Sequence, residues 1–377
     1  MPCRGARPGG KLANAQPLVL LVRLATWPGA WAVLAVEDAE RDDPKPFLRL
    51  VWRTVQCPAM DGGDDVLLTN LDQPLFDGAR ARKRDLVEYV EAVSEQLLGE
   101  LRDRPLSVVR ALRGERPFMQ KNVPRYAPPW VRTVAIWAER SKREVRYALC
   151  NDLRTLLWFA NQRAIEYHPM LARAGSHGFV QTHLVLDLDP PPGAGFEAVV
   201  GAANLVRQAL SDAGLAGGVK TSGAKGLHVF VPVAQPARGE EVAAATRALA
   251  ARAERIDPQL VTTAYVREER GGKVFVDATR AGGATVAAAF SPRVRPGTPV
   301  SFPLSWDELD RVRPRDFTIH TAPALLRGGN PWADRLPEPQ SLPADLIEEG
   351  HAIPVARVQA MHEGKRRART RRERAGS

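Results

Sequence analysis

His183-Leu-Val-Leu-Asp-Leu-Asp189, followed at once by Pro190, Pro191 and Pro192, is the stretch from which the rest of the chain is read. It is short, rich in Leu and Val, and stopped by residues that lack an N–H and fix φ, so it is a strand with a defined end. In a strand, residues i and i+2 share a face. Asp187 and Asp189 therefore stand side by side, while Leu186 and Leu188 turn to the core. Two adjacent carboxylates repel, and a divalent cation is the natural way to keep both ionised. A bare D-x-D also fits a strand end in plain solvent, so the surroundings decide. A second β-rich run, Lys273-Val-Phe-Val-Asp277, also ends in an acid. Three such carboxylates suit Mg²⁺ or Mn²⁺, and a site of this kind can hold two ions ~4 Å apart for in-line displacement at phosphorus.

Between the two runs lies Lys220-Thr-Ser-Gly-Ala-Lys-Gly-Leu-His228. Gly223 and Gly226 allow a tight turn and a close approach of backbone to ligand. Ser222 offers a hydroxyl, Lys225 a cation and His228 a ring at the start of the next strand, an inventory that suits a polyphosphate. The Walker A spacing is absent, and a Gly-rich hairpin alone is equally a structural turn.

Outward from this centre, apolar spacing predicts helices over 196–213 and 240–255, and strands over 219–221 and 227–233. Towards the N-terminus, Leu86, Val90, Val93, Leu97 and Leu101 mark an amphipathic helix over 85–101, and 152–162 reads as a mostly buried helix capped by Asn151. Strands and helices alternate without the rhythm of a doubly wound sheet. The expected fold is α+β, with mixed or antiparallel sheets and flanking helices. The Pro-rich stretch from Pro331 to Pro343 reads as the end of the core.

The 377 residues carry a net charge of +10, 44% apolar and 25% charged residues, which excludes global disorder and a disulfide scaffold. More than half of that charge sits in Gly364–Ser377, with seven basic residues and one acidic. This tail can attract phosphate backbones without reading sequence, or simply be solvated. Cys3, Cys57 and Cys150 have no metal-ligand spacing and suit a reducing cytoplasm. No apolar run is long enough for a membrane span, and Arg23 interrupts the one candidate leader. Residues 1–60 read as a poorly structured extension, with a regular pattern starting after Met60. A linker and short helix are expected over 336–363 and a basic disordered tail over 364–377.

The combination Asp187-Leu-Asp189, Ser222-Gly-Ala-Lys-Gly-Leu-His228 and Val276-Asp277 resembles the polymerase domain of bacterial DNA ligase D, of the archaeo-eukaryotic primase superfamily. Leu68-Thr-Asn-Leu-Asp72, Lys121-Asn-Val-Pro124, Leu156-Leu-Trp-Phe-Ala-Asn161, Glu166-Tyr-His-Pro169 and Arg315-Asp-Phe-Thr-Ile319 extend the likeness in one order over about 64–335. The resemblance implies a primase-type core in which Asp187, Asp189 and Asp277 bind two Mn²⁺ or Mg²⁺ ions. Ser222, Lys225 and His228 would hold the triphosphate, with Arg293 and Arg280 nearby and His168 as an active-site histidine. Asn70 and Lys83 match a pocket for the downstream 5′-phosphate of a DNA gap, but Gln73 stands where the family has a basic residue. Phe118 and Met119 occupy the places of two template-contacting aromatics, and Lys121 is a further DNA-binding candidate. His177 and His183 are read as structural.

The implied activity is addition of nucleotides, ribonucleotides preferred, to a primer 3′-hydroxyl at gaps or broken ends in non-homologous end joining. The implied partners are DNA, nucleoside triphosphates, Ku and a ligase. No K-x-D-G ligase nucleophile occurs, so the ligase is expected to be another protein, and the chain is expected to be a monomer in a bacterial cytoplasm. A non-catalytic DNA-end-binding module and a de novo primase with the same site are the alternatives.

Overall fold

The computed structural model describes residues 66–138, 142–175, 178–281, 284–326 and 329–355, with two short strands nearer the N-terminus. The basic tail lies outside the described residues, as does His177. The chain divides into two units, Met1–Asp64 and Asp65–Ser377. In the first, β1 (Val19–Arg23) and β2 (Trp31–Ala35) pair as an antiparallel hairpin.

The second unit opens with α1 (Lys83–Ala92) and α2 (Ser94–Leu101), where a single helix was expected. Val93 breaks the run, at φ −108° and ψ 14°. The apolar stripe survives the break: Leu86, Val90, Val93, Leu97 and Leu101 are all fully buried. Periodicity therefore reports the buried face but not a kink that carries no Gly or Pro.

Next come β3 (Pro105–Arg110), β4 (Phe118–Gln120), β5 (Thr133–Ala138), β6 (Arg143–Leu149), α3 (Leu153–Asn161) and β7 (Ala164–Pro169). The strands form one antiparallel sheet in the order β4-β3-β6-β5, with β7 also on β3. The cap of α3 is Asp152, whose carboxylate accepts from Thr155 N–H at 2.7 Å, rather than Asn151. Asn151 is instead engaged with Asp103, donating to its carboxylate at 2.6 Å.

A hairpin of β8 (Ala172–Gly175) and β9 (Gly178–Gln181) leads to β10 (His183–Asp189). Then follow α4 (Phe196–Asp212), β11 (Gly218–Thr221), β12 (Leu227–Pro232), α5 (Gly239–Ile256), β13 (Val261–Thr262), β14 (Val274–Asp277) and β15 (Pro303–Leu304). These strands make a six-stranded sheet in the order β13-β14-β10-β12-β11-β15, antiparallel except for β13 with β14. The helices α4 and α5 pack together and against this sheet. The fold is α+β, as the sequence predicts.

Residues 285–302 join the two sheets. Val286 and Ala288 N–H donate to Pro169 and Tyr167 carbonyls on β7, and Phe302 C=O accepts from Thr221 N–H on β11.

The C-terminal part differs from expectation. After α6 (Ala322–Leu325), α7 (Pro331–Arg335) closes the expected core, and α8 (Ala344–Ala352), the short helix expected within 336–363, packs on α5 rather than hanging from a linker. Trp332 is 1% exposed, edge-on to Phe230, and its Nε1–H donates to Glu100 at 3.1 Å. Proline composition misleads here, because Pro331 sits in the first turn of α7, where its missing N–H costs nothing, behind an Asn330 cap. The helix α8 lies on α5 so closely that a Cβ on Gly350 would fall 1.9 Å from Ala244 O. No helix among the described residues is long and apolar enough to cross a membrane.

Gly350→Ala should therefore destabilise the protein by about 1–3 kcal/mol through overpacking. Thermal or urea unfolding measures this, and a helix merely attached by a linker would leave the transition unmoved.

Candidate active site

The site is built on strand register. On the central strand, Asp187 pairs with Asp277 of β14 on one side and with His228 of β12 on the other. His228 in turn pairs with Lys220 of β11. Residues directly opposite in a sheet project to the same face. Four chemistry-bearing residues therefore form one row across four strands: Asp277, Asp187, His228, Lys220. Asp189 lies two residues further along β10, opposite Phe275, at the exposed strand end.

The row is tightly bonded. Asp187 Oδ1 is 3.3 Å from His228 Nε2. Arg280 bridges the two buried carboxylates, with Nη2 3.0 Å from Asp187 Oδ2 and Nε 3.2 Å from Asp277 Oδ2. Lys220, fully buried, reaches His228 Nδ1 at 2.8 Å, Ala287 O at 2.9 Å and Ser301 Oγ at 2.5 Å.

Burial alone would raise the Asp187 carboxyl, but His228 and Arg280 outweigh it and hold the group below the usual carboxylate range. An ionised Asp187 accepts a hydrogen bond from Nε2–H of His228, which leaves Nδ1 to accept from Lys220. Burial, then the Lys220 cation, lower His228 to about 4, so the ring is neutral. Asp189 goes the other way: desolvation, then the charges of Asp187 and Asp277, push it up to about 6.

Among the described residues no three His, Cys, Asp or Glu side chains already converge to hold a metal ion. Here Arg280 is the counter-ion of Asp187 and Asp277. The donor chemistry nonetheless fits a hard divalent cation: Asp187 and Asp277 face each other across β10 and β14, and Asp189, two residues along β10, is raised by desolvation and then by the charges of the other two.

The turn from β11 to β12 lies beside the row. Ser222 Oγ accepts from Ala224 and Gly226 N–H at 3.3 and 3.2 Å. Gly223 is at φ +70°, and a Cβ on Gly226 would lie 2.1 Å from Leu188 O. Both glycines are thus demanded by conformation and by close approach to β10. Lys225 stands exposed in this turn.

A second cluster ties the other sheet to this turn. His168 Nε2 lies 2.7 Å from Glu166 Oε2, and Arg293 Nε lies 3.0 Å from the same oxygen. Arg293 Nη1 donates to Ser222 O, and Val294 N–H to Glu166 Oε1. Burial works against an ionised Glu166, but His168 and Arg293 prevail and lower it to about 2. Burial lowers His168 more than Glu166 raises it. His168, Ser222, His228, Arg280 and Arg293 are thereby connected, directly or through one residue, to the carboxylate row or its turn.

The DNA candidates lie elsewhere in the same unit. Asn70 is at φ +54° on an exposed loop. Lys83 begins α1 and is 3% exposed, its Nζ 2.6 Å from both Thr69 O and Asn161 Oδ1. Phe118 and Met119 are exposed on β4, at 38% and 45%, and Lys121 follows them, also exposed. The Arg110 guanidinium lies over the Phe118 ring at 5.9 Å.

Residues 82–332 match the family described as LigD, primase-polymerase domain. The chain belongs to the LigD primase-polymerase family. It is 34% identical over 312 residues to the multifunctional non-homologous end joining DNA repair protein LigD of Mycobacterium tuberculosis, covering 78% of this chain and 41% of that protein. It is 32% identical over 285 residues to the bifunctional LigD of Bacillus subtilis, covering 74% and 45%. The chain thus spans less than half the length of these curated LigD relatives. The polymerase domain from Mycobacterium tuberculosis ligase D in complex with DNA matches with a TM-score of 0.66 and 31% identity, over 72% of this chain and 97% of that one.

Sequence reasoning gave no role to three residues of this LigD-family site: Lys220, Glu166 and Asn161. Two carried a readable signal. A lysine inside a β-rich apolar run is seldom buried without a partner. Glu166 and His168 are i and i+2 on one strand, the same argument that singled out Asp187 and Asp189. Asn161 carried no such signal, because its clasp on residues 67–69 depends on a contact 92 residues away.

The Asp189 carboxyl binds its proton more tightly folded than unfolded. Its contribution to stability is full below pH 3.8 and is lost as pH rises through about 6. Asp189→Asn should therefore stabilise the protein at pH 8 by up to about 1 kcal/mol, the exposed site being screened. The gain should vanish below pH 4. Thermal unfolding across pH, without divalent cations, measures it, and a gain independent of pH would refute the repulsion.

Proposed function

We propose that this chain is a DNA-dependent nucleotidyltransferase that extends a primer 3′-end at gaps and broken ends, preferring ribonucleotides, as part of non-homologous end joining. The observation that carries the reading is the Asp277–Asp187–His228 row beside the Ser222–Gly226 turn, in a chain of the LigD primase-polymerase family. In the reaction the 3′-hydroxyl attacks the α-phosphorus, the bond to the bridging oxygen of pyrophosphate breaks, and the hydroxyl proton passes to solvent.

Each residue then has a task. Asp187, Asp189 and Asp277 would hold two Mg²⁺ or Mn²⁺ ions, which would supply a more acidic hydroxyl and charge stabilisation at the leaving group. Lys225 and Arg293 offer cations to the triphosphate, and neutral His228, its one N–H turned to Asp187, would orient that carboxylate beside it. Glu166 fixes His168 and Arg293 against the turn. Template contact would fall to Phe118, Met119 and Lys121, and the downstream 5′-phosphate to Asn70 and Lys83. Stacking on exposed aromatic faces tolerates any base, which suits template contact without sequence preference. Ku and a DNA ligase are the partners this role requires.

Primer extension on gapped DNA, with rNTPs or dNTPs and Mn²⁺ or Mg²⁺, tests the reading. Asp187→Ala and Asp277→Ala should reduce extension at least about a thousandfold, with DNA affinity within about twofold of wild type. Lys225→Ala should raise KM for the nucleotide about tenfold, the loss of one charge-assisted hydrogen bond. Near-normal extension by either aspartate variant would overturn the catalytic assignment.

A further inference from the structure

Arg280 lies on the oxygens that a cation between the two buried carboxylates would take. Each carboxylate has one oxygen turned to a fixed donor. Asp187 Oδ1 faces His228 Nε2 at 3.3 Å, and Asp277 Oδ1 accepts from Thr279 N–H at 2.7 Å. The second oxygen of each meets Arg280. Its Nε is 3.2 Å from Asp187 Oδ2 and 3.2 Å from Asp277 Oδ2, and its Nη2 is 3.0 Å from Asp187 Oδ2. One nitrogen thus bridges carboxylates on neighbouring strands.

Register sets Asp187 opposite Asp277, so the pair cannot separate to relieve its repulsion and needs positive charge between its members. Burial works against the guanidinium charge, but Asp187, then Asp277 and Asp189, outweigh it and raise its pKa. The arginine is also free to leave. Its side chain is 35% exposed, against 10% and 7% for those of Asp187 and Asp277. Among the described residues, its hydrogen bonds and ion pairs run to these two acids, so nothing else anchors it. A divalent ion carries twice the charge and binds carboxylate oxygens at ~2.1 Å, closer than a guanidinium can come. On the same two oxygens the two cations compete.

We propose that Arg280 is a built-in stand-in for the divalent cation between Asp187 and Asp277, and that it yields those oxygens when the ion arrives with a nucleotide, whose phosphates receive the released guanidinium. Metal loading is thereby coupled to nucleotide loading, because an ion arriving alone must displace Arg280 with no phosphate to take it. The proposal rests on the reading of Asp187, Asp189 and Asp277 as divalent-cation ligands.

The test is Mn²⁺ binding to the full chain without nucleotide, read by electron paramagnetic resonance. Arg280→Gln removes the charge and keeps an amide that can donate to a carboxylate. It should bind Mn²⁺ about tenfold more tightly than wild type, although a positive residue of the site has only been neutralised. Arg280→Lys keeps a competing cation, and a gain as large as that of Arg280→Gln would mean relief of crowding rather than of charge and overturn the proposal. Adding a nucleoside triphosphate should strengthen Mn²⁺ retention, beyond that of nucleotide alone, more in wild type than in Arg280→Gln. Thermal unfolding gives a second readout. Without divalent cations Arg280→Gln should unfold below wild type, and Mn²⁺ should raise its midpoint further than that of wild type. A variant that folds only with Mn²⁺ meets the same expectation. If Arg280→Gln binds Mn²⁺ no more tightly than wild type, while wild type retains Mn²⁺ with the nucleotide, the stand-in is wrong and the metal site stands. If neither chain retains Mn²⁺ beyond nucleotide alone, the metal site itself is wrong, and the proposal goes with it.

Discussion

The site depends on one constraint: three charged or polar residues must be buried side by side on adjacent strands. Register fixes Asp187 between Asp277 and His228, and a slip of one residue would turn all of them to the opposite face. Leu184, Leu186 and Leu188 prevent that slip, because each is fully buried on the alternate face of β10. The apolar half of the strand thereby pays for the placement of its acidic half. Arg280 and Lys220 complete the balance from the two sides, one against the carboxylates and the other behind His228.

The second sheet contributes by reaching across. Glu166 on β7 meets Arg293, and Arg293 meets the backbone of the glycine turn at Ser222. Residues 285–302 run between the sheets and bring Ala287 O and Ser301 Oγ to Lys220. The turn is therefore held from two directions, with Gly223 and Gly226 too crowded for any side chain. The turn carries one exposed cation, Lys225.

Much of this was legible in the sequence, for identifiable reasons. The strand at 183–189 was plain because prolines end it and alternation sorts its residues, and the shared face of Asp187 and Asp189 followed from period two, while Asp277 was found at the end of a second β-rich run. The helix at 196–213 came from spacing alone. What escaped depended on distance in the chain. The kink at Val93 has no local marker, and the helix cap at Asp152 competed with an equally suitable Asn151. A short helix was expected after residue 335, but proline composition hid its packing, with Gly350 closed against Ala244 of α5. Arg280 was placed near a nucleotide by resemblance, and the structure shows it bridging two acids. The network of Glu166, Arg293 and Ser222 joins residues up to 128 apart, which no periodicity can reveal.

The central claim is that the carboxylates at the ends of β10 and β14 form a divalent-cation site. Electron paramagnetic resonance of Mn²⁺ titrated into the full chain with a nucleoside triphosphate tests it most directly, since bound ions leave the free-ion signal. The expected result is about two ions retained per chain–nucleotide complex, and loss of that retention in Asp187→Asn. Equal retention by wild type and Asp187→Asn, or none beyond that of nucleotide alone, would contradict the claim.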